Sequence, residues 1–123
     1  MKIVDASVLV AFLNESDELH AKATALDLED SVTSQLAFAE TANVLKKRVN
    51  NKPAVMSALR QVFDNTPVIA LSDYEMNEAL ELFGENYPRL SFIDCSLLAQ
   101  SRARGAALVT FDEQLAKASA RKR

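Results

Sequence analysis

Four of the seventeen acidic residues in this chain stand where a carboxylate needs a physical explanation. Asp5 directly follows the apolar pair Ile3-Val4, at the carboxyl end of what reads as a strand. Glu40 lies within Leu36-Ala37-Phe38-Ala39-Glu40-Thr41-Ala42-Asn43-Val44-Leu45. Its neighbours at helical spacing are Leu36, Ala37, Asn43 and Val44, so it shares the apolar side of its helix. An ionised carboxylate there is costly without a cation or a hydrogen-bond donor. Asp94 has Leu97 and Leu98 in the same relation, and Asp112 comes just past the apolar run Leu108-Val109. The remaining acids, among them Asp17, Glu18, Asp27, Glu29, Asp30, Glu78, Glu81 and Glu85, read as solvated helix faces.

Each of the four has an ordinary explanation. Asp5 can cap the helix beginning at Ala6, and Glu40 can sit in a buried salt bridge or reach solvent from the edge of its stripe. Asp94 can complete a capping box with Ser91, and Asp112 can favour the positive end of a helix dipole. Taken together these explanations weaken, because three of the four fall where a strand ends or a helix begins. In open α/β sheets that is where ligands bind. Bringing such carboxylates within ~5 Å of one another costs about 3 kcal/mol per pair at an effective dielectric near 20. A cluster of this kind raises its own pKa values or recruits a cation. Oxygen ligands without sulfur or imidazole point to Mg2+ or Mn2+ rather than zinc.

The elements that must position these residues alternate between short apolar strands and amphipathic helices. That is the pattern of an α/β fold with a mainly parallel sheet. A strand is expected at Ile3-Val4, then helices over 5–13 and from Ser16 to about Leu28. Ser31 to Thr33 reads as a short link or strand, and Ser34 caps a helix to about Val49. Pro53 belongs in the first turn of a helix running to about Phe63. Val68 to Leu71 reads as a strand, and Ser72 with Glu75 opens a helix to about Phe83. Ser91 opens another, which ends before Gly105. Ala107 to Thr110 is the last strand, with Thr110 and Glu113 expected to cap a final helix.

Bulk composition sets the limits. The chain of 123 residues fits one domain over 1–123, with residues 117–123 expected as a flexible basic tail. The single cysteine, Cys95, excludes an internal disulfide and fits a reducing cytoplasm. No apolar run approaches the ~20 residues of a membrane span, and the charged start is unlike a signal peptide. The formal net charge is −3, so a phosphate-bearing partner must be met by local basic clusters or through metal. Lys46, Lys47, Arg48 and Lys52 form one such cluster, Arg102 and Arg104 another; each also suits a solvated helix end. His20 reads as a packing or surface residue. Cys95 reads as a small core residue, since no histidine is placed in sequence to activate it.

At the four acids the sequence resembles the PIN-domain family, specifically the VapC-type toxin ribonucleases of toxin–antitoxin modules. The matching stretches are Val4-Asp5-Ala6-Ser7-Val8-Leu9-Val10, Phe38-Ala39-Glu40-Thr41-Ala42-Asn43-Val44-Leu45, Leu90-Ser91-Phe92-Ile93-Asp94 and Leu108-Val109-Thr110-Phe111-Asp112-Glu113-Gln114-Leu115. The resemblance covers nearly the whole chain. It implies a three-layer α/β/α sandwich around a central parallel sheet of four or five short strands. It also implies Mg2+ or Mn2+ held by Asp5, Glu40, Asp94 and Asp112, and hydrolysis of RNA phosphodiester bonds. Homodimers and a small cognate antitoxin, whose tail fills the groove, belong to the same expectation. Many members end with a further short strand, whereas this chain runs into Lys117-Ala118-Ser119-Ala120-Arg121-Lys122-Arg123, which leaves the sheet's width open.

On that reading Asp5 and Asp94 bind metal directly, and Glu40 and Asp112 do so directly or through water. Ser7 and Thr110 steady the carboxylates or position water, unless they serve only as helix caps. Asn43 is a supporting residue, and Lys46, Lys47, Arg48 and Arg102 are candidate RNA contacts. Two other classes compete. A phosphatase with an Asp5 nucleophile would usually carry a second aspartate where Ser7 stands. A non-catalytic PIN fold, kept for RNA or protein binding, would tolerate loss of the acids, and all four are present.

Overall fold

The computed structural model describes residues 1–121. Four strands, β1 (Lys2–Val4), β2 (Ser31–Ser34), β3 (Val68–Ile69) and β4 (Ala107–Val109), form one sheet in the order β3-β2-β1-β4. Every pairing is parallel, with Ile3 opposite both Val32 and Leu108, and Thr33 opposite Val68. Seven helices lie among the described residues: α1 (Ala6–Leu13), α2 (His20–Thr24), α3 (Gln35–Arg48), α4 (Lys52–Asn65), α5 (Asp73–Glu85), α6 (Phe92–Arg104) and α7 (Glu113–Ala120).

Successive residues of a strand face opposite sides of a sheet, and this places the core on both. Ile3 and Leu108 pack with Val32, Ala37 and Leu97 on one side. Val4 and Val109 pack with Val8, Leu9, Leu26 and Leu28 on the other. A third cluster joins α5, α6 and α7 through Ala79, Leu82, Leu98 and Leu115. The result is the expected parallel sheet between helical layers. Strand order runs from β1 through β2 to β3 on one side and returns to β4 on the other. The crossover therefore leaves a switch point between β1 and β4, at whose carboxyl ends a crevice must open.

The elements differ from expectation at four places, each for a local reason. The helix expected from Ser16 starts only at His20. Asn14 and Asp17 instead accept hydrogen bonds from the backbone of Ser16 and Leu19, at 3.1 and 2.8 Å, and turn the chain. The strand expected over 68–71 stops at Ile69, because the Ala70 carbonyl accepts from Gln100 and Arg104 side chains instead. The cap of α7 is Asp112, whose Oδ1 accepts from Leu115 N–H at 2.9 Å, and not Thr110. The basic tail expected from residue 117 is helical through Ala120; Lys122 and Arg123 lie outside the described residues.

Candidate active site

Asp5 ends β1 at the switch point, and its backbone N–H bonds the Val109 carbonyl at 2.9 Å. It occupies the N-cap position of α1 yet makes no side-chain cap bond. Its Oδ2 instead accepts from the hydroxyls of Ser7 and Thr110, each at 2.8 Å. Ser7 Oγ accepts in turn from Phe111 N–H, and Thr110 Oγ1 accepts from Asp112 N–H. Asp5 is 4% exposed, so hydroxyls from the first turn of α1 and from just past β4 hold a nearly buried carboxylate.

Glu40 reaches the same place from the second turn of α3, whose N-cap is Ser34. Its side chain makes no salt bridge or hydrogen bond to the described residues. Its pKa is raised by burial first, then by the negative charges of Asp5 and Asp94. Asp94 stands in the first turn of α6. It completes the capping box of α6, accepting from Ser91 N–H at 3.2 Å while Ser91 Oγ accepts from Asp94 N–H at 3.0 Å. Its pKa is nonetheless raised, by burial most of all and further by the charges of Asp5 and Asp112, against the lowering pull of the Ser91 bonds. The capping explanation is thus true of Asp94 and Asp112.

All four carboxylates line one open cavity of about 880 Å3, shared with Ser7, Val44, Ser91 and the loop from Asn14 to Leu19. Among the described residues no three carboxylates are already closed around a single ion position. Two of the four are tied to helix caps, and Mg2+ keeps several waters in any case, so a loose set of oxygens suits it. The donor chemistry fits a hard divalent cation: all oxygen, with burial and neighbouring negative charge raising the pKa of two members.

The remaining candidates separate. Arg48 lines the cavity, whereas Lys46, Lys47 and Asn43 are exposed and do not. Arg102 borders smaller clefts beside Leu82 and Glu85, and Arg104 pairs with the buried Glu75. Asp17 and Glu18, read from sequence as solvated, are part of the cavity wall. The only signal for them was the Asn14-Glu15-Ser16-Asp17 spacing, which favours side-chain turns over helix. His20 Nδ1 lies 2.8 Å from the Ala11 carbonyl and ties α2 to α1. Cys95 is fully buried, and its thiol is pushed up to about 11 by burial and by Asp94, as befits a core residue.

The PIN domain family model matches residues 2–120. The chain therefore belongs to the PIN domain family. No curated protein matches it. Among solved structures it is similar to VapC20 of Mycobacterium tuberculosis, a sarcin–ricin-loop-cleaving toxin. That match has a TM-score of 0.84 at 24% identity and covers 96% of this chain and 95% of that one. PAE2754 of Pyrobaculum aerophilum matches with a TM-score of 0.73 at 25% identity, over 97% and 86% of the two chains. A chain of the VapBC2 structure from Rickettsia felis, bound to a promoter DNA fragment, matches with a TM-score of 0.73 at 18% identity, over 94% and 90%. The fold is that of VapC toxins. No helix among the described residues is long and apolar enough to cross a membrane.

Proposed function

We propose that this protein is a Mg2+- or Mn2+-dependent endoribonuclease and the toxin of a toxin–antitoxin pair. The observation that carries the reading is the Asp5 carboxylate, diverted from capping and held by two hydroxyls beside Glu40 and Asp94. Asp5 and Asp94 are assigned as metal ligands, with Glu40 and Asp112 acting directly or through water. A bound divalent ion supplies a water of lowered pKa and offsets charge at the phosphorus under attack. The chain's own part is to fix Asp5 through Ser7 and Thr110, and to hold Glu40 and Asp94 beside it, where burial and mutual repulsion favour neutralisation by a cation. The antitoxin partner is supported by likeness to toxin–antitoxin complexes, including one from Klebsiella pneumoniae and FitAB bound to DNA. A homodimer acting in the cytoplasm belongs to the same proposal.

The test is cleavage of a mixed RNA pool by the purified protein, with and without Mg2+ or Mn2+. Asp94→Asn is expected to lower the rate about a hundredfold or more, the loss of one charged metal ligand. Cleavage in EDTA, or full activity in the variant, would refute the mechanism. Binding of RNA without any cleavage would favour the non-catalytic reading. Expression in a bacterial host should arrest growth, and expression of Asp94→Asn should not.

A further inference from the structure

The cavity presents RNA with six carboxylates, from Asp5, Asp17, Glu18, Glu40, Asp94 and Asp112, and with one basic side chain among the described residues, Arg48. Glu40, Val44 and Arg48 recur every four residues on one face of α3. At 1.5 Å per residue Arg48 lies about 12 Å along the helix from Glu40. Two helical turns therefore separate the backbone anchors of the two side chains, which puts Arg48 at a different station of the cavity wall from the carboxylates.

Arg48 is also held. Its Nη1 stands 3.6 Å from Asp17 Oδ2. The Asp17 side chain is only 13% exposed, and its Oδ1 accepts from Leu19 N–H at 2.8 Å. The carboxylate is therefore fixed by the loop and cannot follow the arginine. Only one edge of the guanidinium is engaged, and its other N–H groups make no hydrogen bond to the described residues. A planar fork with free donors matches a phosphate in two-point contact. An ion pair at 3.6 Å on a half-exposed arginine biases the fork toward the cavity without locking it.

We propose that Arg48 grips the phosphate flanking the scissile one, in an orientation set by Asp17. Arg48 is the substrate-binding residue and Asp17 the positioning residue. The proposal rests on the ribonuclease reading above and gives the far end of the same cavity its role. Lys46 and Lys47 cannot substitute, since neither lines the cavity.

The experiment is steady-state cleavage of a short RNA oligonucleotide by the full chain in Mg2+, at several salt concentrations. Arg48→Ala is expected to raise KM about five- to tenfold, with the loss falling on KM rather than kcat. The slope of log KM against log salt should fall by about 0.7, the value for one phosphate contact on a single strand. Arg48→Lys should restore the slope while leaving KM raised, because charge returns without the fork. Asp17→Asn decides the positioning role by sign. Removing an anion from the cavity would by itself tighten RNA, so a raised KM supports positioning and an unchanged or lowered KM overturns it. Active wild type with unchanged KM and slope in Arg48→Ala overturns the Arg48 assignment alone. No cleavage by wild type overturns the ribonuclease reading and this inference together.

Discussion

Asp5 had two readings in the sequence, helix cap or metal ligand, and both fit a carboxylate at the end of an apolar strand. The hydrogen bonds remove the side-chain cap and leave the metal-ligand reading as the proposal. A capping aspartate would accept from the backbone of its own helix, whereas this one accepts from Ser7 and Thr110. Thr110 lies 105 residues away in sequence, so no local pattern could reveal the choice. Groups that orient a metal ligand are typically worth about ten- to a hundredfold in activity or metal affinity. Thr110→Val and Ser7→Ala should each lower kcat/KM by about tenfold. The double variant should lose less than the product, because both hydroxyls serve one carboxylate. Full activity in both single variants would return Asp5's hydroxyl partners to a merely structural role.

At the scale of elements, the capping boxes at Ser72 and Ser91 were legible because both partners lie within one turn. What the Ser72 box supports was not. Glu75 is 3% exposed, and its carboxylate accepts from Arg104 at 2.9 and 3.1 Å, joining the start of α5 to the end of α6. Burial alone would raise its pKa, but Arg104 and Ser72 together take it below the ordinary range. Arg104 also bonds the Ala70 carbonyl, which is part of the reason β3 is two residues long instead of four. Periodicity sees the apolar run 68–71 and cannot see a guanidinium arriving from residue 104. Arg104→Ala should therefore destabilise the fold by about 2 kcal/mol at neutral pH. That is below the range for fully buried pairs, because the arginine remains a third exposed. The contribution is present above the unfolded pKa of Glu75 and is lost as pH falls through its lowered folded value. The gap between variant and wild type in urea denaturation should accordingly close on acidification. A gap that persists in acid would mean that Arg104 acts through packing.

For the molecule as a whole, family membership was legible because four short motifs are spread along the chain, and the family match spans 2–120. Sheet order was not legible, although it is what brings residues 5, 40, 94 and 112 to one cavity. A fold that gathers carboxylates at one crevice carries a stability cost, and Glu40 is where to measure it. It is partly buried, unpaired, and faces Asp5 and Asp94, so its folded pKa lies above its unfolded one. The penalty is fully present above the folded pKa and vanishes below the unfolded one, the reverse of the Glu75 case. Glu40→Gln should then raise the Tm of the metal-free protein at neutral pH by roughly 2 °C, a figure already discounted for solvent screening. The difference should shrink as pH falls and Glu40 protonates. Mg2+ or Mn2+ should stabilise wild type by binding only the folded state, and should stabilise the variant less. Opposite signs with and without metal are the signature of a residue kept for its ligand. A variant less stable than wild type in EDTA would instead make Glu40 part of the structural core, and the metal assignment would lose one of its four supports.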